Sequence, residues 1–234
     1  MEFQPETLKN FNTFMSLRRK PAQTWLSVYP LDRSTISDDP DKAVFVDIGG
    51  GIGHQCAQFK EKYPDLPGRV ILQDLSPVVA QALPTPGVEN IAHDFFKEQP
   101  VKGAKFYFMR LTLHNWPTPK VIEIIQRIKE AMEPGYSVLL IDEMVLPESK
   151  VSAHACMLDL MMMGAFASAE RTEKEWKEIG EEAGLQLVEK YNYFQYESVM
   201  DFRLKGDGVK GGVEDGVKDG VKDGVKDSSA ENGA

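Results

Sequence analysis

Residues 44–53 read Val-Phe-Val-Asp-Ile-Gly-Gly-Gly-Ile-Gly: a short apolar run that ends in an acid and passes at once into a glycine-dense turn. Only glycine takes up positive φ and lets backbone approach a ligand without steric cost. The pattern therefore predicts a strand that hands its chain to a nucleotide-like molecule. The spacing then separates two ligand classes. Dinucleotide sites read G-x-G-x-x-G, whereas here glycines fall at Gly49, Gly51 and Gly53, and position 54 is His54. Acid-x-G-x-G-x-G, led by Asp47, is instead the pattern of S-adenosylmethionine (SAM) sites, and SAM is the cofactor expected.

Working outward, strand-like runs at 43–48, 69–74, 88–92, 104–110 and 136–143 alternate with amphipathic stretches near 54–63, 76–83 and 119–132. The last of these has Thr118 as its N-cap candidate and Pro119 at the favoured first helical position. A further helix is expected over 153–165. Thr172-Glu-Lys-Glu175 has the form of a capping box that launches a helix to about 183, stopped near Gly184. Two final strands, 185–192 and 194–202, are too close for a crossover and must pair as a hairpin. The expected fold is α/β: a mostly parallel seven-stranded sheet with an antiparallel hairpin at its C-terminal edge.

Three domains are expected: an N-terminal helical segment over 1–40 with a helix near 6–20, a catalytic domain over 41–204, and a tail over 205–234. From Gly208 the tail falls into Gly-Val-Lys-Asp-like repeats. A glycine every fourth residue disfavours helix, and one valine per repeat buries too little to offset ordering, so the tail is read as disordered.

Charge narrows the partners. Twenty-seven basic residues against 36 acidic ones give a formal net charge of -9, which argues against a nucleic-acid partner. The one notable basic cluster, Arg18-Arg19-Lys20, is too short to change that. Cys56 and Cys156 stand far apart, so neither a metal site nor a disulfide framework is indicated. No signal-peptide pattern or membrane span is read, and a soluble protein of a reducing, cytoplasmic compartment is expected.

In an open parallel sheet, ligands sit outside the carboxyl ends of the strands. Each expected strand delivers a polar group there: Asp47, Asp74, Asp94 with Phe95, Arg110 followed by His114, and Asp142-Glu143. Asp74 suits the two ribose hydroxyls of an adenosine, Asp94 its amino group, and Phe95 the face of its ring. Methyl transfer from a sulfonium leaves the protein two tasks: to align the acceptor and to take its proton near neutral pH. His114, in Leu113-His114-Asn115-Trp116-Pro117, has the right chemistry for the second task. Glu143 is the expected orienter of the imidazole, with Glu170 as a second candidate. His54, His93 and His154 are weaker candidates. Met157 and Met161-Met162-Met163 make a helix suited to core packing or to a flat aromatic ligand, and Met162 with Phe166 is the i, i+4 pair facing such a ligand.

The glycine turn, Leu-His-Asn-Trp, Asp-Glu-Met-Val-Leu-Pro and Glu-Arg-Thr-Glu-Lys-Glu-Trp together make residues 7–204 resemble the plant caffeate-type O-methyltransferases, and more closely their fungal secondary-metabolite relatives. The resemblance implies a Rossmann-like class I SAM-methyltransferase sandwich. It implies His114 as general base flanked by Glu143 and Glu170. It also implies a SAM site lined by Asp47, Gly49, Gly51, Gly53, Asp74, Leu75, Asp94, Phe95 and Arg110, and an acceptor site near Phe11, Met15, Trp116, Met162 and Phe166. The position of Arg110 usually carries lysine, and Asn115 replaces a more usual aspartate. The family's long N-terminal helical region, which supplies dimerisation and part of the acceptor pocket, is represented only by the short segment before Asp47. The chain is then a stripped catalytic domain, a subunit completed by a homodimeric or heteromeric partner, or a truncated product. The implied reaction is methylation of a phenolic or enolic hydroxyl on a small natural product, such as a polyketide α-pyrone. The rivals are a non-methylating cyclisation or dehydration on the same SAM site, and an inactive SAM-binding partner subunit.

Overall fold

The computed structural model describes residues 23–207, so the expected helix over 6–20, with Phe11 and Met15, and the repeats from 208 onward lie outside the described residues. Strand β1 (Ala43–Ile48) is buried along its whole length and lies near the middle of the sheet. This is why it reads as a continuous apolar run: a parallel strand covered on both faces has no solvent side to alternate with. The order is β3 (Val88–Ala92), β2 (Arg69–Asp74), β1, β4 (Phe106–Arg110), β5 (Val138–Leu146), β8 (Glu197–Leu204), β7 (Leu185–Phe194). The first five run parallel, and β8 is antiparallel to both β5 and β7. The order reverses between β1 and β4, where such sheets open a crevice for ligands.

Helices cover both faces. On one, α1 (Trp25–Val28) and α2 (His54–Lys62) enclose an aromatic core. The Trp25 ring stacks on Phe108 with centroids 4.7 Å apart, and its Nε1 donates to Gln55 at 2.9 Å. Residues ahead of position 40 are thus packed into the same core as the sheet. On the other face lie α4 (Thr118–Lys129), which buries Val121, Ile124, Ile125 and Ile128, and α6 (Glu173–Ala183), which buries Trp176 and Ile179. The capping box that starts α6 is formed: Thr172 Oγ1 accepts from the Glu175 amide, and Glu175 accepts in return from the Thr172 amide at 2.8 Å.

Several boundaries differ from the sequence expectation. Helix α3 is only Ser76–Val79, because Pro84 disfavours helix at the residue before it and the Leu83 amide instead donates to the Ile52 carbonyl. Helix α4 begins at Thr118 itself, with Pro117 as N-cap. The hairpin strands reach Phe194 and restart at Glu197, with Gln195 in the left-handed region (φ 44°). Strand β5 extends to Leu146 because an eighth, two-residue strand, β6 (Arg171–Thr172), pairs with its end. Helix α5 (Ala153–Phe166) is apolar on every side yet buries only Ala155, leaving Met157, Leu160, Met161, Met163 and Phe166 exposed. Among the described residues no helix is long and apolar enough to cross a membrane, and no cluster of His, Cys, Asp and Glu can hold a metal ion.

Candidate active site

At the tip of β1 the glycine turn is built around backbone geometry. Gly49, Gly51 and Gly53 have φ of 68°, 63° and 90°, values that a side chain would strain. A Cβ at Gly50 would run into the Asp47 carboxylate and Leu72, whereas one at Gly51 would meet nothing within 4 Å, so the turn is packed from below and open above. The amides of Gly49 and Gly50 donate to the Gln73 carbonyl, and the Gly51 amide donates to Asp74 Oδ2 at 2.8 Å. Asp74 Oδ1 accepts from the Leu75 amide at 2.7 Å. Burial pushes the Asp74 carboxyl above its ordinary range and these two amides work against that; the carboxylate keeps lone pairs for a ligand.

The loop after β3 is tied to the same turn. Gln73 and Gln99, both buried, exchange two amide bonds of 2.8 Å, and the His93 amide donates to the Asp74 carbonyl. Asp94 closes a local turn by accepting from the Phe96 amide at 3.0 Å. A Cβ at Gly49 would lie 3.6 Å from the Phe95 ring and 3.1 Å from the Thr112 methyl, so the loops after β1, β3 and β4 converge here. Asp47 lies buried beneath the turn, its Oδ2 3.9 Å from Cys56 Sγ; burial, reinforced by the acid, pushes the Cys56 thiol well up.

The loop after β4 carries a different chemistry. Leu111 enters it in the left-handed region (φ 46°), which costs about 1–2 kcal/mol for a residue with a Cβ. Glu143, fully buried on β5, offsets that cost: its Oε1 accepts from the amides of Leu113 at 2.8 Å, Thr112 at 3.0 Å and His114 at 3.4 Å. The His114 imidazole turns its Nδ1 to Glu170 Oε1 at 2.9 Å, with Glu143 Oε2 farther off at 3.8 Å. Burial disfavours the imidazolium, but Glu143 and then Glu170 outweigh it and the imidazole pKa is raised. Burial likewise raises the Glu143 carboxyl, with His114 and the loop amides pulling it back. With Nδ1 donating to Glu170, the lone pair of neutral His114 is on Nε2. Trp116, two residues on, meets the rings of Phe96 and Phe95 edge-on at 4.8 Å and 6.0 Å.

The O-methyltransferase domain family matches residues 40–186. The chain belongs to that family. It is similar to the O-methyltransferase lepI of Aspergillus flavus, at 46% identity over 195 residues, covering 81% of this chain and 50% of that protein. It is also similar to the demethylsterigmatocystin 6-O-methyltransferase stcP of Emericella nidulans, at 42% over 194 residues, covering 82% of this chain and 94% of that one. Among solved structures, the LepI complex with SAM matches with a TM-score of 0.80 and 42% identity, over 86% of this chain and 53% of that one. A structure described as a pericyclic reaction enzyme matches with the same score and identity. The chain thus spans about half the length of several curated relatives it matches and nearly all of stcP.

In this O-methyltransferase domain the structure brings Gly49, Gly51, Asp74, Leu75, Phe95 and Thr112 together at one stretch of the rim, and His114, Glu143 and Glu170 together at the loop that continues from Thr112. Gly53 opens α2, and Asp94 stands beside Phe95. Glu170, expected as the second orienter, is the glutamate hydrogen-bonded to Nδ1, while Glu143 holds the loop amides with Oε1 and keeps Oε2 3.8 Å from the imidazole. Arg110 faces the opposite side of the sheet, among Asp142, Tyr193 and Glu197, with its Nη2 2.7 Å from Glu197. Strand alternation explains this: Arg110 is in register with Asp142, so Glu143 must point the other way. Burial raises the Asp142 carboxyl to about 6 despite Arg110, whose own charge is held by these acids and Tyr193 against burial. Its expected contact to the cofactor is unsupported by this placement. Met162 is half-buried and Phe166 exposed, both on α5. Three residues not singled out from sequence, Gln73, Gln99 and Arg171, prove to tie the loops together. The Glu-Arg-Thr run before the capping box was the one available signal for Arg171.

Proposed function

We propose that the chain is a SAM-dependent O-methyltransferase acting on a phenolic or enolic hydroxyl of a small polyketide-like natural product. The carrying observation is the His114–Glu170 pair beside the glycine turn, the imidazole Nδ1 2.9 Å from the carboxylate. The open space over Gly51, the partly buried Asp74 carboxylate and the Phe95 ring fit an adenosyl group, the first approached by backbone, the second offering acceptors for ribose hydroxyls. SAM, when bound, supplies an electrophilic methyl on a positively charged sulfur. His114 Nε2 takes the proton of the acceptor hydroxyl, and Glu170 accepts the Nδ1–H and stabilises the imidazolium that forms. Glu143 holds the backbone of the loop on which His114 rides, so the proton acceptor stays at one place. Trp116, held edge-on by Phe95 and Phe96, offers an apolar aromatic contact to the acceptor ring.

The reading extends to what completes the pocket. The exposed methionine-rich side of α5, with Phe166 and the half-buried Met162, is the surface that a further wall of the acceptor pocket would cover. A second copy or a longer partner is the proposed source of that wall. The domain limits at about 41 and 204, and a cytoplasmic setting with Cys56 and Cys156 as free thiols, belong to the same reading.

The likeness to a structure described as a pericyclic reaction enzyme keeps one rival in view, cyclisation on the same cofactor site. Product mass separates them. Incubated with SAM and phenolic or enolic polyketides, the purified chain is expected to yield products heavier by one methylene unit, with one S-adenosylhomocysteine per product. A product of unchanged mass would replace methylation by cyclisation. Tight SAM binding with neither product would point to a partner subunit.

A further inference from the structure

Arg171 is a buried charge, 4% exposed, for which the reading above has no use. It stands on β6, in register with Val145 near the end of β5. Its Nη2 donates to the Trp116 carbonyl at 2.7 Å and lies 3.4 Å from Thr118 Oγ1; its Nη1 lies 3.5 Å from the Leu113 carbonyl and 3.4 Å from that of Ala169. The guanidinium also sits over the Trp176 ring, 5.3 Å from its centroid. A buried guanidinium ordinarily faces a carboxylate, because unpaired burial of charge is costly. Here none of the four polar contacts is a carboxylate. Two of them, Leu113 and Trp116, bracket His114 in the chain, so one fork grips the loop on both sides of the imidazole.

The charges around that loop explain why a cation belongs there. Glu143 from β5 and Glu170 ahead of β6 face His114, Asp159 of α5 accepts from the Glu170 amide at 2.8 Å, and Glu175 of α6 adds to the field at Arg171. Without a cation, two buried carboxylates would face the imidazole alone and hold it protonated, and a protonated imidazole takes no proton. Arg171 acts on His114 in the opposite sense to the glutamates, lowering the pKa they raise.

We propose that Arg171 is a positioning residue for His114: its guanidinium fastens the loop on either side of the imidazole and supplies the positive charge that balances Glu143 and Glu170. The inference rests on His114 as the base of the proposed reaction. It assigns two separable jobs, a grip that needs the fork and a balance that needs only the charge.

Two variants separate them. Arg171→Gln removes the charge, and Arg171→Lys keeps it while losing the fork. The His114 imidazole is titrated by NMR in cofactor-free protein, which needs no acceptor, so a parent enzyme that transfers no methyl would sink the reading above yet leave this arm intact. The expected result is titration at higher pH in Arg171→Gln and at the parental pH in Arg171→Lys. With an acceptor, kcat at neutral pH falls about tenfold or more in Arg171→Gln, which loses fork and charge together, and recovers with rising pH only to the level of Arg171→Lys, while KM for SAM stays unchanged. In Arg171→Lys kcat falls without a change in pH profile. Parental titration in a folded Arg171→Gln protein overturns the proposal, as does an equal, pH-independent loss in both variants. Should Arg171→Gln fail to fold, Arg171→Lys decides: a moved titration, or an unchanged kcat, overturns it.

Discussion

The two halves of the rim are made of different material. Around β1, β2 and β3 the surface is built from backbone: glycines at positive φ, amides donating to Gln73 and Asp74, and a reciprocal amide pair, Gln73–Gln99, behind them. Around β4, β5 and β6 it is built from buried charge: His114, Glu143, Glu170 and Arg171 within a few ångströms of one short loop. A backbone cradle depends on side chains being absent from the turn, so added atoms injure it, and Asp74 is the one acid its amides engage. A charge cluster depends on every member being present, so one neutralised group changes the ionisation of the rest.

The largest expected effect tests whether the halves are separable. His114→Gln should cost at least about a hundredfold in kcat, the general-base contribution, while calorimetry finds SAM affinity unchanged. Joint loss of both would show one coupled site instead of two. Next comes Gly50→Ala, where the new methyl meets the Asp47 carboxylate and Leu72. It should lower stability by about 1–3 kcal/mol in denaturant unfolding and weaken SAM binding, without moving the His114 titration. A moved titration would break the comparison.

The smallest effect sharpens it. The raised His114 pKa means that the imidazolium is favoured in the folded protein. Its contribution to stability is fully present below the ordinary histidine value of about 6.5 and is lost as pH rises through the raised value. Turnover has the opposite sign, rising with pH as the imidazole loses its proton. Glu170→Gln removes one of the two acids that raise the pKa, so the acid limb of kcat should move to lower pH while its plateau falls. Glu143→Gln should move the limb in the same direction and leave most of the loop geometry, since an amide oxygen still accepts from Thr112 and Leu113.

Much of this was legible in the chain. Strands β1, β2 and β4 are apolar runs that meet Asp47, Asp74 and Arg110 at or next to their ends, and parallel strands place those ends on one edge whatever the details of packing. The capping box at Thr172 and the stop at Gly184 are local signals with local causes, and both are present as read. What was not legible depends on partners distant in sequence. Whether Arg110 faces the cleft or the hairpin depends on the register of β4 against β5, which alternation along one strand cannot supply. Which glutamate reaches Nδ1 depends on where the Leu111 reversal aims the loop amides. Helices α4 and α5 make the same point: α4 shows an apolar stripe that predicts its buried face, whereas α5 is apolar all round and its pattern names no face at all.

The sequence alone determined the sheet, the glycine turn and the set of chemical groups at the rim, because hydrophobic period, glycine conformation and capping act over a few residues. Tertiary structure alone decided how those groups divide the work. It turned Arg110 to the far face, set Glu143 on the loop amides and Glu170 on the imidazole, and brought Arg171 behind both. Charge interactions among buried groups depend on distances across the fold and on exclusion of water, and neither is written in the order of residues along the chain.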